Sequence, residues 1–198
     1  DVEIVPEKID VDVTIASPSK ELPIKIIPKG DVSFGLAISS MNMNETKVTA
    51  YGNAEALAKL KYIPVEIDVS NLKENKEYKK ELSKPVGVKS LSINNVTINV
   101  SLDSVSSKDI DGIKVEYKNL GDSYTVQGTS ETATKVTVNL KGVKSVIDAI
   151  KTDDLSAYID LGGYGEGEYE VDVKVDGNDN KIKYTPKTKK VKIKIVKK

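Results

Sequence analysis

Val96-Thr97-Ile98-Asn99-Val100-Ser101-Leu102 alternates apolar with polar residues at every step. Successive side chains of a β-strand point to opposite faces, so this order lays Val96, Ile98, Val100 and Leu102 on one face and the polar residues on the other. The same beat is heard at Val11, Val13 and Ile15, 87 residues earlier than Ile98, Val100 and Leu102, and at Val191, Ile193 and Ile195, 93 residues later. Further alternation runs through Phe34-Leu36-Ile38, Val65-Ile67-Val69, Ile113-Val115-Tyr117, Val136-Val138-Leu140 and Tyr169-Val171-Val173-Val175. Val and Ile dominate these stretches, and both suit a pleated surface. One wet face per strand predicts antiparallel pairing.

Working outward from that strand, the rest of the pattern also repeats. Ile24-Lys25-Ile26 matches Ile113-Lys114-Val115, Val48 matches Val136, and Ala54, Leu57 and Ala58 match Val143, Val146 and Ile147. Val65-Glu66-Ile67-Asp68-Val69 then matches Ala157-Tyr158-Ile159-Asp160-Leu161. The offsets stay between 87 and 93 and the order never changes. A period near 90 is domain-sized, far longer than a solenoid turn. Two segments carry a helical beat instead. Val143, Val146, Ile147 and Ile150 fall at i, i+3, i+4 and i+7, and Ala54, Leu57, Ala58 and Leu60 form a weaker stripe with Asn53 as N-cap. Each predicts a helix of two to three turns that must lie on a sheet to survive.

The organisation expected is therefore mainly β: two tandem domains, each a twisted antiparallel or mixed sheet with one short helix, elongated overall. Residues 1–16 read as the closing strand of a truncated preceding repeat, 18–102 as one domain and 108–198 as the next, with Asp103-Ser104-Val105-Ser106-Ser107 as a short polar joint. A chain opening on Asp1, with no Met and no signal pattern, reads as a piece of a longer protein.

Composition narrows function by exclusion. The 198 residues hold 30 basic and 30 acidic side chains, every basic one a Lys, and no His, Cys or Trp. Without His and Cys the commonest general base, metal ligand and thiol nucleophile are gone. Without Arg there is no planar fork for bidentate phosphate recognition. Zero net charge gives the whole molecule no footprint for nucleic acid, so none is expected as partner. No apolar run reaches the ~18 residues that cross a bilayer.

Four constellations bear on chemistry. Asp68 and Asp160 occupy matching places, and a pair repeated in two copies fits turn-forming carboxylates that accept backbone N–H bonds better than acid–base groups. Asp176-Gly177-Asn178-Asp179-Asn180 has a calcium-loop look, but Lys187 stands where the terminal Glu belongs, so a hairpin turn is expected. Gly162-Gly163-Tyr164-Gly165-Glu166-Gly167 runs from strand to strand without the helix a phosphate cradle needs, which leaves a loop from which an exposed Tyr164 would contact a partner. In the basic run that includes Lys190, Lys192 and Lys194, Lys192 and Lys194 would face acids among Glu166, Glu168, Glu170 and Asp172 across a hairpin, or the lysines would guard an edge strand. Their functional alternative is contact with an anionic partner, polymer or lipid surface. No catalytic, cofactor-binding or metal residue is expected.

One succession of motifs has a known counterpart: Ile24-Lys25-Ile26, Gly35-Leu36-Ala37-Ile38, Val48-Thr49-Ala50-Tyr51-Gly52, a short helix, Ile67-Asp68-Val69-Ser70 with a Gly- or Asn-containing turn, and a closing Pro-x-x-x-x-Val-x-Val strand. It resembles the YbbR domain, twice over. The copies differ where Tyr51-Gly52 faces Asn139-Leu140-Lys141-Gly142, and the glycines of 162–167 lack a counterpart in copy one. Tandem copies of this kind are similar to the extracytoplasmic part of the bacterial regulator of the membrane diadenylate cyclase. The resemblance implies a non-enzymatic regulatory module on the outer face of the cell membrane. It implies that cyclase as partner, no cofactor, and membrane attachment only through an N-terminal anchor outside these residues. The other reading is a cell-surface binding or spacer β-repeat.

Overall fold

A computed structural model describes residues 17–128 and 134–198. The closing strand expected in residues 1–16 lies outside the described residues. The first copy runs β1 (Ser19–Lys29), β2 (Leu36–Met43), β3 (Lys47–Gly52), α1 (Ala54–Lys59), β4 (Ile63–Asp68), β5 (Lys76–Glu81), β6 (Val88–Leu91) and β7 (Asn95–Lys118). The second continues with β8 (Tyr124–Gly128), β9 (Lys135–Val143), α2 (Lys144–Ala149), β10 (Leu155–Asp160), β11 (Gly167–Asp172), β12 (Lys174–Gly177), β13 (Lys183–Pro186) and β14 (Lys190–Lys197).

Alternation does what it should. In β4, Ile63, Val65 and Ile67 are buried while Pro64, Glu66 and Asp68 face out; in β14, Val191, Ile193 and Ile195 are buried between exposed lysines. Phe34 breaks the expectation: it sits in the turn ahead of β2 and is fully exposed, so that run of alternation starts only at Leu36. Two separate cores result, one built from Leu22 through Val100 and one from Ile110 through Ile195. No helix among the described residues is long and apolar enough to cross a membrane.

Both copies share one topology. In the first, β4-β1-β3-β6 form one sheet while β2 and β5 flank the front half of β7. In the second, β10-β7-β9-β13 repeat the first sheet, with β12 added on the outside of β10, and β11-β14-β8 repeat the second. Of the two arrangements expected, antiparallel or mixed, the first sheet of each copy is mixed: β1 with β4, and β7 with β10, run parallel, while the other pairs are antiparallel. Parallel neighbours need a long crossover, and β2, β3 and α1 (β8, β9 and α2 in the second copy) supply it.

The shared strand is β7. Its 24 residues pair first with β2 and β5, then with β9 and β10. Asp103–Ser107 is therefore strand rather than joint. Leu36 pairs with Ser104 and Val143 with the adjoining Val105.

Pairing also corrects the repeat's register. Val48 faces Leu22 and Val138 faces Ile110, so the partner of Val48 is Val138 rather than Val136. Leu57 and Ile147 are the buried residues of the two helices, which makes Ile147, not Val146, the counterpart of Leu57, and aligns Gly52 with Gly142. A two-residue slip preserves every in–out assignment of a strand, so alternation by itself cannot detect it.

The helices are six residues each, shorter than expected. Asn53 caps α1 as predicted, its Oδ1 accepting from the N–H groups of Glu55 (2.9 Å) and Ala56 (3.2 Å); Val143 gives α2 no such cap. The other end holds a device the sequence did not reveal. Lys20 Nζ on β1 donates to the carbonyls of Leu57 (3.0 Å), Ala58 (3.3 Å) and Leu60 (2.8 Å). Lys108, at the same place on β7, reaches Ile147 and Ile150, each at 3.5 Å. A helix leaves its last carbonyls unpaired, and a cation there also opposes the negative end of the helix dipole. Lys20→Met keeps the stem but removes the donor, and should cost about 1.5–3 kcal/mol, the range of hydrogen bonds to charged groups. Urea unfolding would read it; Lys108→Met, with longer bonds, should cost less.

Candidate functional site

The repeated aspartates belong to the turns. Asp68 Oδ1 accepts the N–H of Ser70 (2.9 Å), and Asp160 Oδ1 accepts that of Gly162 (3.1 Å) and the Asn119 amide (2.8 Å). The Ser70 hydroxyl and then its N–H hold the Asp68 carboxyl below the usual carboxylate range; the Asn119 amide and then the Gly162 N–H do the same for Asp160. A carboxyl depressed in the fold contributes stability at pH values above its unfolded value, about 4, and that contribution disappears as pH falls through the folded value. Asp68→Asn keeps an acceptor and deletes the charge. Its melting temperature should lie below that of the parent at pH 6, and the gap should close as pH falls below about 4. A gap that stays constant with pH would contradict this account.

Around Asp179 the structure shows a connection between β12 and β13 rather than a hairpin, since those strands do not pair. Asp179 accepts the N–H of Lys181 (2.9 Å) and its ammonium (2.8 Å), while its main chain engages the Tyr184 hydroxyl. Both carboxylate oxygens are thus held by Lys181. Among the described residues no group of three possible ligands gathers around a metal-sized space.

Tyr164 is not the free ring expected. It is half-buried, packs on the core of the second copy and meets Tyr169 edge-on, with centroids 4.8 Å apart at 86°. Turn formation, with the Tyr164 N–H on the Leu161 carbonyl at 3.2 Å, draws it inward.

The three lysines do stand on an exposed face, but β14 is the central strand of its sheet, paired with β11 and β8, so they guard no edge. Lys192 stands opposite Glu170 and Lys194 opposite Glu168, as anticipated, and Lys190 stands opposite Asp172 as well. The Lys190–Asp172 contact is 4.0 Å between exposed groups, worth well under ~1 kcal/mol in solvent. The face is a ladder of mixed charge, not a basic patch.

Where the copies meet, contacts missed by sequence reasoning appear. Asn180 Nδ2 donates to the Ile26 carbonyl at 2.6 Å, and Lys183 Nζ meets both carboxylate oxygens of Asp31 at 3.0 and 3.1 Å. Asn180 stands between two clefts of about 670 and 400 Å³. The larger is walled by Ser106, Asn139 and Lys141 of the second copy and by Phe34, the chain's single Phe, of the first. Such contacts join residues up to 154 positions apart, beyond the reach of any local pattern.

A sequence profile of the family described as YbbR-like protein matches residues 22–102 and again 113–195. Over its whole length the chain is 27% identical to the CdaA regulatory protein CdaR of Bacillus subtilis, and it spans 41% of that protein. Among solved structures, a YbbR-like domain from Listeria monocytogenes is 24% identical, covering 47% of this chain and 95% of its own, with a TM-score of 0.42. A YbbR-like protein from Streptococcus pneumoniae covers 96% of this chain and 99% of its own, at 13% identity and a TM-score of 0.35.

Proposed function

Because the chain belongs to the YbbR-like protein family, we propose that it is a non-enzymatic, extracytoplasmic interaction module that modulates a membrane diadenylate cyclase and hence the level of cyclic di-AMP. The observation that carries this reading is the 27% identity to CdaR, which extends over all 198 residues rather than one copy. In this reading the membrane is reached through an N-terminal anchor outside these residues. Tyr164, Lys190, Lys192 and Lys194 are the proposed contact residues. With Glu168, Glu170 and Asp172 beside the lysines, the partner surface is itself of mixed charge, and its attraction weakens as salt shortens the screening length to ~8 Å.

Co-expression of the full-length protein with the membrane diadenylate cyclase tests the proposal. Co-purification and an altered cyclic di-AMP level should both depend on residues 18–198. No capture and an unchanged nucleotide level would defeat it. The spacer reading draws support from β7, which ties the copies through continuous backbone. It requires that an unrelated rod of equal length restore regulation.

A further inference from the structure

The junction between the copies is built from two ends. The lower end of copy one presents the Ile26 carbonyl, Asp31 and the Gly30–Gly35 loop. The upper face of copy two receives it with Asn180 and Lys183, beside a wall that contains Lys141. Since both copies share one topology, copy one has an upper face of its own, and strand pairing identifies its residues.

Lys141 lies between Ser107 and Lys183 in register; Tyr51 lies between Ser19 and Ser90. Tyr51 therefore holds the place of Lys141. Asn180 sits in a turn closed by the Ile182 N–H on the Asp179 carbonyl (3.3 Å), and Val86 in one closed by the Val88 N–H on the Pro85 carbonyl (3.0 Å). Both turns lie over a glycine near the end of the strand that precedes the helix, Gly142 in β9 and Gly52 in β3: a Cβ on Gly142 would be 3.8 Å from the Lys181 carbonyl oxygen, and one on Gly52 would be 2.2 Å from that of Gly87. Val86 therefore holds the place of Asn180. Val86 is 97% exposed and Tyr51 37%; Asn180 and Lys141 are exposed as well, but they line the cleft against copy one, and Asn180 bonds to its Ile26 carbonyl. Apolar side chains stand in the open at the positions that, in copy two, make the junction.

We infer that the Tyr51–Val86 face of copy one is a docking surface for the lower end of a further YbbR-like domain, placed before residue 17 in the full-length chain. Four observations favour that occupant. The face continues an interface already formed once in this molecule. Val11, Val13 and Ile15 repeat the alternation of Ile98, Val100 and Leu102, the residues by which β7 leaves copy one. The chain spans only 41% of its relative CdaR, which leaves length for another copy. Backbone entering β1 at Ser19 arrives beside Tyr51 just as β7 arrives beside Lys141 at Ser107. A domain tethered that closely has an effective concentration in the mM range, which a second molecule of this chain does not match. The inference rests on family membership and the junction geometry, not on the cyclase, so either can fail without the other.

The 198 residues contain no Cys, so Val86→Cys supplies a single thiol. Its maleimide labelling rate would be compared in the 198-residue chain and in the full-length protein freed of any other Cys. Labelling should be at least tenfold slower in the full-length protein, while Lys73→Cys, at the opposite end of copy one, labels equally in both. Hydrogen exchange of the unaltered proteins should show the same protection across residues 83–89. Equal labelling of Val86→Cys in both chains would overturn the inference. So would protection within the 198-residue chain that rises with its concentration, because the occupant would then be a second copy.

Discussion

Gly52→Ala should unfold the first copy at markedly lower urea, with a loss of about 3 kcal/mol. Gly52 is buried at the end of β3, and a Cβ there would lie 2.2 Å from the Gly87 carbonyl oxygen and 3.0 Å from Val88 Cα. Both obstacles are backbone. The Gly87 carbonyl is held by the Asn53 N–H at 3.0 Å, and Gly87 itself, at a φ of +85°, is pressed against Ala56, so the turn cannot back away. Overpacking of this kind costs about 1–3 kcal/mol, and displacing the Asn53 bond adds about 1 kcal/mol. Gly142→Ala is the control. There the nearest atom is Ile147 Cγ2 at 2.9 Å, a methyl group rather than hydrogen-bonded backbone, and the six-residue helix that carries it needs to give by only a few tenths of an ångström. The loss at position 142 should be about a third as large, near the low end of the overpacking range. Equal losses at the two glycines would show that the backbone wall is not what decides.

Gly30→Ala should cost about 2–3 kcal/mol, and the second copy shows how to recover it. Gly30 has a φ of +85°, where an L-residue pays about 1–2 kcal/mol, and its Cβ would sit 2.0 Å from Ser70 Oγ. In the second copy the corresponding residue is Asn119, at a φ of +59°, and the place of Ser70 is taken by Gly162. The space has simply changed sides. Asn tolerates the left-handed region, and its amide reaches Asp160 at 2.8 Å across the vacated position. Gly30→Asn alone should therefore destabilise, while Gly30→Asn with Ser70→Gly should recover most of the loss. In a double-mutant cycle the coupling should exceed about 1 kcal/mol in favour of the pair, within the range seen for residues in contact. Additive losses would mean that the two turns are not exchangeable. Circular dichroism against urea suffices to measure it.

What the residues disclosed in advance was local. Alternation named the buried side of most strands, Asn53 announced its cap, and Asp68 with Asp160 announced their turns, because each is decided within a few positions. At Val48 the register between the copies differs by two from the one alternation suggests, since period-two patterns survive a shift of two and the bulge around Gly112 changes the count between Ile110 and Ile113; in the helices it differs by one, because Val146 and Ile147 are both apolar. Tertiary geometry settled the rest. Whether Lys192 lies on an edge or in the middle of a sheet depends on β8, far away in the chain. Whether Tyr164 points outward depends on Tyr169 and the core beneath it. Lys20 reads as one lysine among thirty basic residues until the helix end comes within its reach.

The strand that both copies share has a mechanical side. At ~3.3 Å per residue, 24 residues reach at most roughly 80 Å. Through that length a pull on the chain runs along one backbone whose flanking hydrogen bonds are loaded in shear and resist together. Torsion is transmitted as well, because a residue cannot rotate in one sheet without rotating its neighbour in the next. An assembly strung on such strands sets the orientation of whatever it carries as well as its distance.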